Sequence, residues 1–401
     1  MSPQPNKRPL DGVRVIDFSM HMAGPFCTRA LADLGADVVK VEPPGGDNMR
    51  TMPPLREGAS SYFGHVNVGK RSVVLDLKLE DQKALALDLL RDADVLVENG
   101  RPGAMKGLGL DYDTVGRMNP RLIYCSISGF GQYGPGAQRP AYAMTIHAAS
   151  GMDLAHMHYQ EGQDRPPNVG IFTADFLAGV YAQSAVLAAL YDRERTCRGQ
   201  AIDLSLMDCI LSMLPYEVQE SQFPSPKKRN TYRPLKTADG FIMLALVSQK
   251  NFEGAFAAME RKDLLDDPRY VSAAARGRNW SGLFKEIECW TATRTAAACL
   301  AAFEAAGIPA TKYQTVKEAL QDPQLATRGT LARVSDNVGP FAVVNQPYQL
   351  SRVDISAVGE APALGQHTAE VLHGLAGKPG GMAVDLPCVA GTGGRPRDNG
   401  G

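Results

Sequence analysis

The chain has 401 residues, 44% apolar and 21% charged, with 42 Lys and Arg against 43 Asp and Glu for a formal net charge of -1. That balance excludes wholesale disorder, the length exceeds one compact core, and two lobes are expected. Without a basic excess, nucleic acid is a poor partner, and an anionic ligand depends on a few local cations. The seven cysteines are scattered with no C-x-x-C pair, which argues against a disulfide framework or thiolate metal site and for a reducing compartment. The polar start lacks the apolar core of a signal peptide, and no unbroken apolar run reaches the ~18 residues of a membrane helix. A cytoplasmic protein without membrane partners is expected.

In chain order, VRVIDF (13–18) reads as a short strand and FCTRALADLG as a helix ending in glycine. DVVKVE (37–42) and SVVLDL (72–77) are further strands, the helix QKALALDLLRDA leads into strand DVLVEN (94–99), and LIYCSIS (122–128) follows. Strands alternating with helices predict an α/β fold on a largely parallel sheet, with ligands beyond the C-terminal strand ends. The loops after Phe18, Glu42, Asn99 and Ser128 are therefore the ones to watch. TADFLAGVYAQSAVLAALYDRE, from 173, is apolar around most of its circumference and predicts a deeply buried helix. AIDLSL then reads as a strand and is followed by a helix through Gln222. The organisation read from this pattern is a large domain over 1–222, a proline-rich basic linker over 223–235 and a small domain over 236–330. Residues 331–378 return to the large domain, and 379–401 form a low-complexity tail expected to be disordered. Within the small domain, TADGFIMLAL predicts a hairpin turning at Asp239-Gly240, and GIPATKY a strand among helices.

No phosphate-loop, serine-hydrolase or zinc-peptidase motif occurs, and Gly24 alone stands where a dinucleotide fingerprint needs three glycines. His156 and His158, two apart on an expected loop, lack a third ligand and read as surface or pocket histidines rather than a metal site. His147, in the apolar run AMTIHAASG, reads as a satisfied core histidine. Asp175 falls in the first turn of the long helix, with Thr173 as its expected N-cap. Either it merely stabilises that helix end, or the same field keeps a partly buried carboxylate ionised for nucleophilic attack. Local pattern leaves both readings open. Lys70 and Arg71 before the strand SVVLDL, Arg101, Lys106 and Arg139 are at loop positions and read either as ordinary solvated charges or as a shared anion site. Two of these stretches leave the C-terminal ends of strands, where a phosphate-bearing ligand of such a sheet would sit.

Several segments, in order, resemble the class III CoA-transferases (the CaiB/BaiF-like group with formyl-CoA:oxalate and carnitine CoA-transferases). They are LDGVRVIDFS, AGPFCTRALADLGADVVKVEPPGGD, KRSVVLDLK, ADVLVENGRPGAMKGLGLDYDTV, NPRLIYCSISGFGQYGP, RGQAIDLSLMD and DPRYVSAAARGRN. The resemblance covers the chain to about 378. It implies a Rossmann-like large domain built from both chain ends, a small α+β domain and two linkers, giving ring-shaped subunits threaded into an interlocked homodimer. It implies Asp175 as catalytic residue, and CoA or substrate contacts at Met22, Ala23, Leu75, Asp76, Lys78, Asn99, Gly100, Arg101, Lys106, Arg139 and Tyr142. Acyl-CoA and a carboxylic acid would be the substrates, with no metal and no permanently bound cofactor. The implied chemistry runs through an aspartyl anhydride and an aspartyl-CoA thioester.

Two alternatives accompany this reading. An α-methylacyl-CoA racemase of the same fold pairs the aspartate with a histidine where this chain has Tyr142, a poor base with an unperturbed pKa of about 10. A catalytically silent CoA-binding protein is the other. Met22 and Ala143 replace the polar residues of the formyl-CoA relative, so the expected acceptor is a larger acid with an apolar body rather than oxalate.

Overall fold

A computed structural model of the protein describes residues 7–225 and 229–376; the tail expected to be disordered lies outside them. The chain parts into two compact units, one formed by residues up to Val218 together with those from Gly329, the other by Gln219–Arg328.

The first unit is built on six strands: β1 (Arg14–Asp17), β2 (Asp37–Glu42), β3 (Arg71–Val74), β4 (Val95–Glu98), β5 (Ile123–Ser128) and β6 (Ala201–Ser205). All pair in parallel, in the order β3-β2-β1-β4-β5-β6. That is the strand order of doubly wound α/β sheets, whose direction of winding reverses between β1 and β4. Valine and isoleucine dominate because both faces are covered. Val15, Val38, Val95 and Ile123 point into one core with α1 (Ala23–Asp33), while Ile16, Val39, Leu96 and Tyr124 point into the other. The second face is covered by Ala86, Leu89 and Leu90, by Val115, and by the C-terminal helix Thr368–Ala376. These contributions come from α3 (Glu80–Arg91) and α5 (Tyr112–Met118); the short α2 (Ser61–Asn67) and α4 (Ala104–Gly107) lie in the intervening loops.

The crossover from β5 to β6 carries α6 (Ala143–Ala149), α7 (Met152–His158) and the long α8 (Thr173–Thr196). Gly151 at φ 83° opens α7, so His156 and His158 sit on a helix and not on the expected loop. Helix α8 is buried along Ala174, Ala178, Ala182, Val186 and Ala189, but Val180, Tyr181 and Tyr191 stand exposed on its other side. The expected burial all around α8 therefore holds on one face of this chain only. Its length and hydropathy would suit a membrane span, yet its inner face packs on α1, α6 and the sheet as a core helix does. Pro215 then divides the helix expected through Gln222 into α9 (Leu206–Ser212) and α10 (Pro215–Gln222).

In the second unit, β7 (Leu235–Thr237) and β8 (Gly240–Leu244) form a hairpin. Gly240 pairs with Thr237, so the turn falls on Ala238-Asp239, one residue before the expected place. β9 (Ala310–Lys312) adds antiparallel to β8. Helices at Gln249–Ala258, Trp280–Thr291 and Ala296–Ala305 cover the hairpin around Phe252, Phe256, Phe284 and Phe303. Back in the first unit, β10 (Leu331–Ser335) and β11 (Pro340–Val344) pair antiparallel.

Candidate active site

Because the six strands are parallel, the loops after β1, β3, β4 and β5 all leave one edge of the sheet. A buried ionic cluster anchors the β1 loop from below. Lys70 Nζ lies 3.0 Å from Asp17 Oδ2, and Lys40 Nζ lies 3.1 Å from Asp47 Oδ2, with all four side chains shielded from solvent. Burial alone would raise Asp17, but the charges of Lys70 and Lys40 with hydrogen bonds from Ser19 and Thr28 hold its carboxyl down at about 2. Lys40 also donates to the Ser19 carbonyl at 2.7 Å, and the His21 N–H donates to Asp47. The residue His21 is thereby held at φ 64°, a left-handed conformation that a non-glycine residue adopts only under such restraint.

This anchored loop is tied to its neighbours. The Asn99 amide receives the Met20 N–H at 2.8 Å and donates to the Met20 carbonyl at 2.7 Å, bridging the winding reversal between β1 and β4. The His21 ring meets Tyr142 edge-on at 6.2 Å, and Gln138 Nε2 donates to the Pro102 carbonyl at 3.2 Å. The residues Met22, Ala23, Asn99, Gly100, Arg101, Lys106, Arg139 and Tyr142 thus belong to one connected set of loops. The turn holding Leu75, Asp76 and Lys78 shares the sheet edge but follows β3, with β2 between it and β1. There Asp76 is occupied by the Lys78 N–H at 3.1 Å.

The cations divide sharply. Among the described residues Arg101, Lys106, Arg139 and Lys78 are exposed and form no ion pair. Lys70 and Arg71 do not join them: Lys70 is buried against Asp17, and Arg71 pairs with Asp37 and Glu370. Their place in the expected anion-binding group is therefore withdrawn, because their charges are already spent inside the protein. Glu98, at the end of β4, is pushed up to about 7 by burial, and accepts the Gly100 N–H at 2.8 Å.

Asp175 reaches this region through helix packing. Gly179, one turn further along α8, lacks the Cβ that would meet the Ala23 carbonyl oxygen at 2.8 Å, so α8 lies close against the start of α1. Phe176 packs edge-on against Phe26 at 5.0 Å, in a cluster with Met22, Met49, Phe63 and Tyr62. The phenol of Tyr62 is raised by burial and by the Asp175 charge. Thr173 is not the N-cap expected; Phe172 holds that position without a side-chain bond, and His147 Nε2 accepts the Ala174 N–H at 3.0 Å instead. Among the described residues no hydrogen-bond donor meets the Asp175 carboxylate, and burial pushes it up to about 6 despite its place at a helix N-terminus. Ala143 is buried and packs into the main core. His21, Tyr62 and Gly179 carry no signal in the local pattern, because their roles come from packing between distant segments.

A doubly wound sheet with unpaired cations on its loop edge, and an unbonded carboxylate on a helix packed against the start of α1, defines an α/β protein equipped for an anionic ligand. The sequence model of CoA-transferase family III matches residues 10–368. A succinate–glutarate CoA-transferase of Agrobacterium fabrum is 34% identical, covering 94% of this chain and 98% of its own length. An acetyl-CoA:oxalate CoA-transferase of Acetobacter aceti is 37% identical over 88% of this chain and 92% of its own. The solved structure of a CaiB/BaiF family protein from Brucella suis superposes with a TM-score of 0.81 at 33% identity, covering 92% of this chain and 99% of that one. The chain belongs to CoA-transferase family III. It is a class III CoA-transferase, an enzyme that transfers CoA between acyl-CoA thioesters and carboxylic acids.

Proposed function

We propose that Asp175 is the nucleophile and that the reaction passes through covalent aspartyl intermediates. The observation that carries this is the unbonded Asp175 carboxylate in the first turn of α8, partly buried and at about 6. At pH 7 such a group is ionised by about ten to one, so it attacks without a base to remove a proton. Its oxygen adds to the donor thioester carbonyl, and the C–S bond breaks to give a mixed anhydride and CoA thiolate. The thiolate then attacks the Asp175 carbonyl, forming an aspartyl-CoA thioester and expelling the donor as its carboxylate. The acceptor carboxylate attacks that thioester and releases thiolate, which takes the acceptor acyl group from the second anhydride and restores Asp175. Each step exchanges one activated acyl bond for another, so no outside energy source enters.

Met22, Ala23, Leu75, Asp76, Lys78, Asn99, Gly100, Arg101, Lys106, Arg139 and Tyr142 are the proposed CoA and substrate contacts. Arg101, Lys106 and Arg139 supply the cations for its phosphates, which the absence of internal ion pairs supports. The acceptor proposed is an acid with an apolar body: Phe26, Phe176 and Tyr62 lie around Asp175, where a tiny dianion would meet mostly apolar surface. An interlocked homodimer in the cytoplasm completes the reading. The exposed Val180, Tyr181 and Tyr191 of α8 support a second copy covering that face, and all six cysteines among the described residues are free.

The decisive experiment incubates the protein with succinyl-CoA and then hydroxylamine, followed by mass spectrometry of the peptide carrying Asp175. A hydroxamate on Asp175, absent from Asp175→Ala, is expected. Normal turnover by Asp175→Ala would sink the mechanism.

A further inference from the structure

His147 lies in the middle of α6, with no solvent exposure, yet nothing in the transfer chemistry uses it. Its Nε2 accepts the Ala174 N–H at 3.0 Å, and Ala174 is the residue immediately before Asp175. That N–H is one of the first-turn donors that a helix leaves without an intrahelical acceptor, and no other side chain caps this end of α8. The start of α6 is itself fixed: Thr145 Oγ1 accepts the Tyr142 N–H at 2.9 Å and donates to the Tyr142 carbonyl at 2.8 Å. One seven-residue helix therefore links Tyr142 of the loop cluster to the turn that carries the nucleophile.

We propose that His147 is a positioning residue of the transfer reaction, holding the first turn of α8 and hence the Asp175 carboxylate only while its imidazole is neutral. The inference rests on Asp175 as the nucleophile. An Nε2 that accepts must belong to the Nδ1–H tautomer. The Nδ1 atom has no hydrogen-bond partner among the described residues, so nothing else commits the ring. Protonation would place an N–H against the Ala174 N–H and a cation against the positive end of the helix, two repulsions at one contact. The first turn would then loosen, and Asp175 would lose its alignment.

The surroundings set when this happens. Burial lowers the imidazole from its ordinary 6.5, Asp153 on α7 opposes that, and His156 on α7 adds to it. On α8 the neighbouring charge is Asp175. On α9, which also packs on α6, the titratable side chains are Asp208 and Cys209. Acidification accordingly acts twice, protonating the nucleophile and releasing its support.

The test compares wild type, His147→Gln, His147→Leu and Asp175→Ala, with kcat and KM measured from pH 5 to 8.5. Gln offers a neutral acceptor that does not titrate; Leu offers none. For His147→Leu, kcat at pH 8 should fall about 10- to 100-fold with KM for acyl-CoA little changed, as expected for a misplaced reacting group. His147→Gln should recover most of that loss. Its acid limb should fall with one proton, where the wild type falls more steeply. Should His147→Leu not fold, the profile of His147→Gln decides alone. A His147→Gln profile superimposable on wild type, with Asp175→Ala inactive, would overturn the role of His147 while leaving the nucleophile standing. Turnover by Asp175→Ala would instead remove the reading on which the role rests.

Discussion

Removing the charge at Asp175 should abolish transfer and make the folded protein more stable, and the second effect has a calculable pH dependence. The carboxyl moves from an ordinary 3.8 to about 6 because burial penalises its ionised form. At about 1.4 kcal/mol per pH unit, that displacement costs the folded state about 3 kcal/mol once the group is ionised, and its remaining exposure trims the figure to about 1–2 kcal/mol. A raised acid binds more protons folded than unfolded. The cost is therefore absent below 3.8, grows between 3.8 and about 6, and is constant above. Asp175→Asn keeps the shape and deletes the charge. Urea unfolding at fixed protein concentration should show it more stable than wild type at pH 8 and equal to it at pH 3.5 or below. Equal or lower stability at pH 8 would refute the claim that the site holds a desolvated anion at a cost, as nucleophile sites do.

Asn99→Ala, which cuts both bonds between the loops after β1 and β4, should cost about 1–2 kcal/mol of stability and raise KM for acyl-CoA; unchanged values of both would show the bridge to be idle. Lys70→Met strands the buried Asp17 carboxylate and should destabilise by about 3–5 kcal/mol. In the wild type Asp17 contributes stability that is present above its ordinary 3.8 and lost as pH falls toward about 2, whereas the stranded carboxylate of the variant is relieved by protonation, so the deficit of the variant should narrow on acidification. Replacing Arg101 or Arg139 with Ala should raise KM for acyl-CoA by the equivalent of about 1–3 kcal/mol with little change in kcat; KM unmoved in both would place the phosphates elsewhere. In a panel of oxalate, succinate, mesaconate and an arylalkanoate, kcat/KM should be lowest for oxalate, and an oxalate value matching the best of the others would defeat the pocket argument.

The parallel sheet was legible because both of its faces are buried: short valine-rich runs such as DVVKVE, set between helical segments, read as strands of such a sheet, and β2 occupies Asp37–Glu42 as read. The loop edge followed from that sheet, and with it the position of Asn99, Arg101 and Tyr142. What stayed hidden depends on contacts between segments far apart in the chain. Lys70 looks like any loop lysine until Asp17, 53 positions earlier, is found against it. His147 reads as core in either case, and only the fold shows that its Nε2 accepts the N–H of Ala174, 27 positions along the chain at the start of the helix of Asp175. The exposed face of α8 is a different kind of miss. Its composition is that of a buried helix, and the periodicity of one chain carries no information about which neighbour does the burying.

The position of Asp175 at about 6 exposes the constraint on this chemistry. In the proposed route an anhydride must be kept from water, and excluding water from a carboxylate raises its pKa. Burial deeper by the equivalent of about 2 further pH units would leave most of the proposed nucleophile protonated at neutral pH, and attack would then need a base to remove that proton. Bound acyl-CoA dehydrates the site further, and the incoming acceptor brings a second carboxylate, so both push in the wrong direction. What resists them is the end of α8, whose first-turn N–H groups favour an anion only while that turn is formed. A neutral acceptor at position 147 preserves the turn without adding charge beside the nucleophile. A lysine or arginine there could not accept the Ala174 N–H, and a carboxylate would accept it while raising Asp175 still more. A buried, uncharged, acceptor-bearing side chain is thus the one kind that lets this site be dry and anionic together.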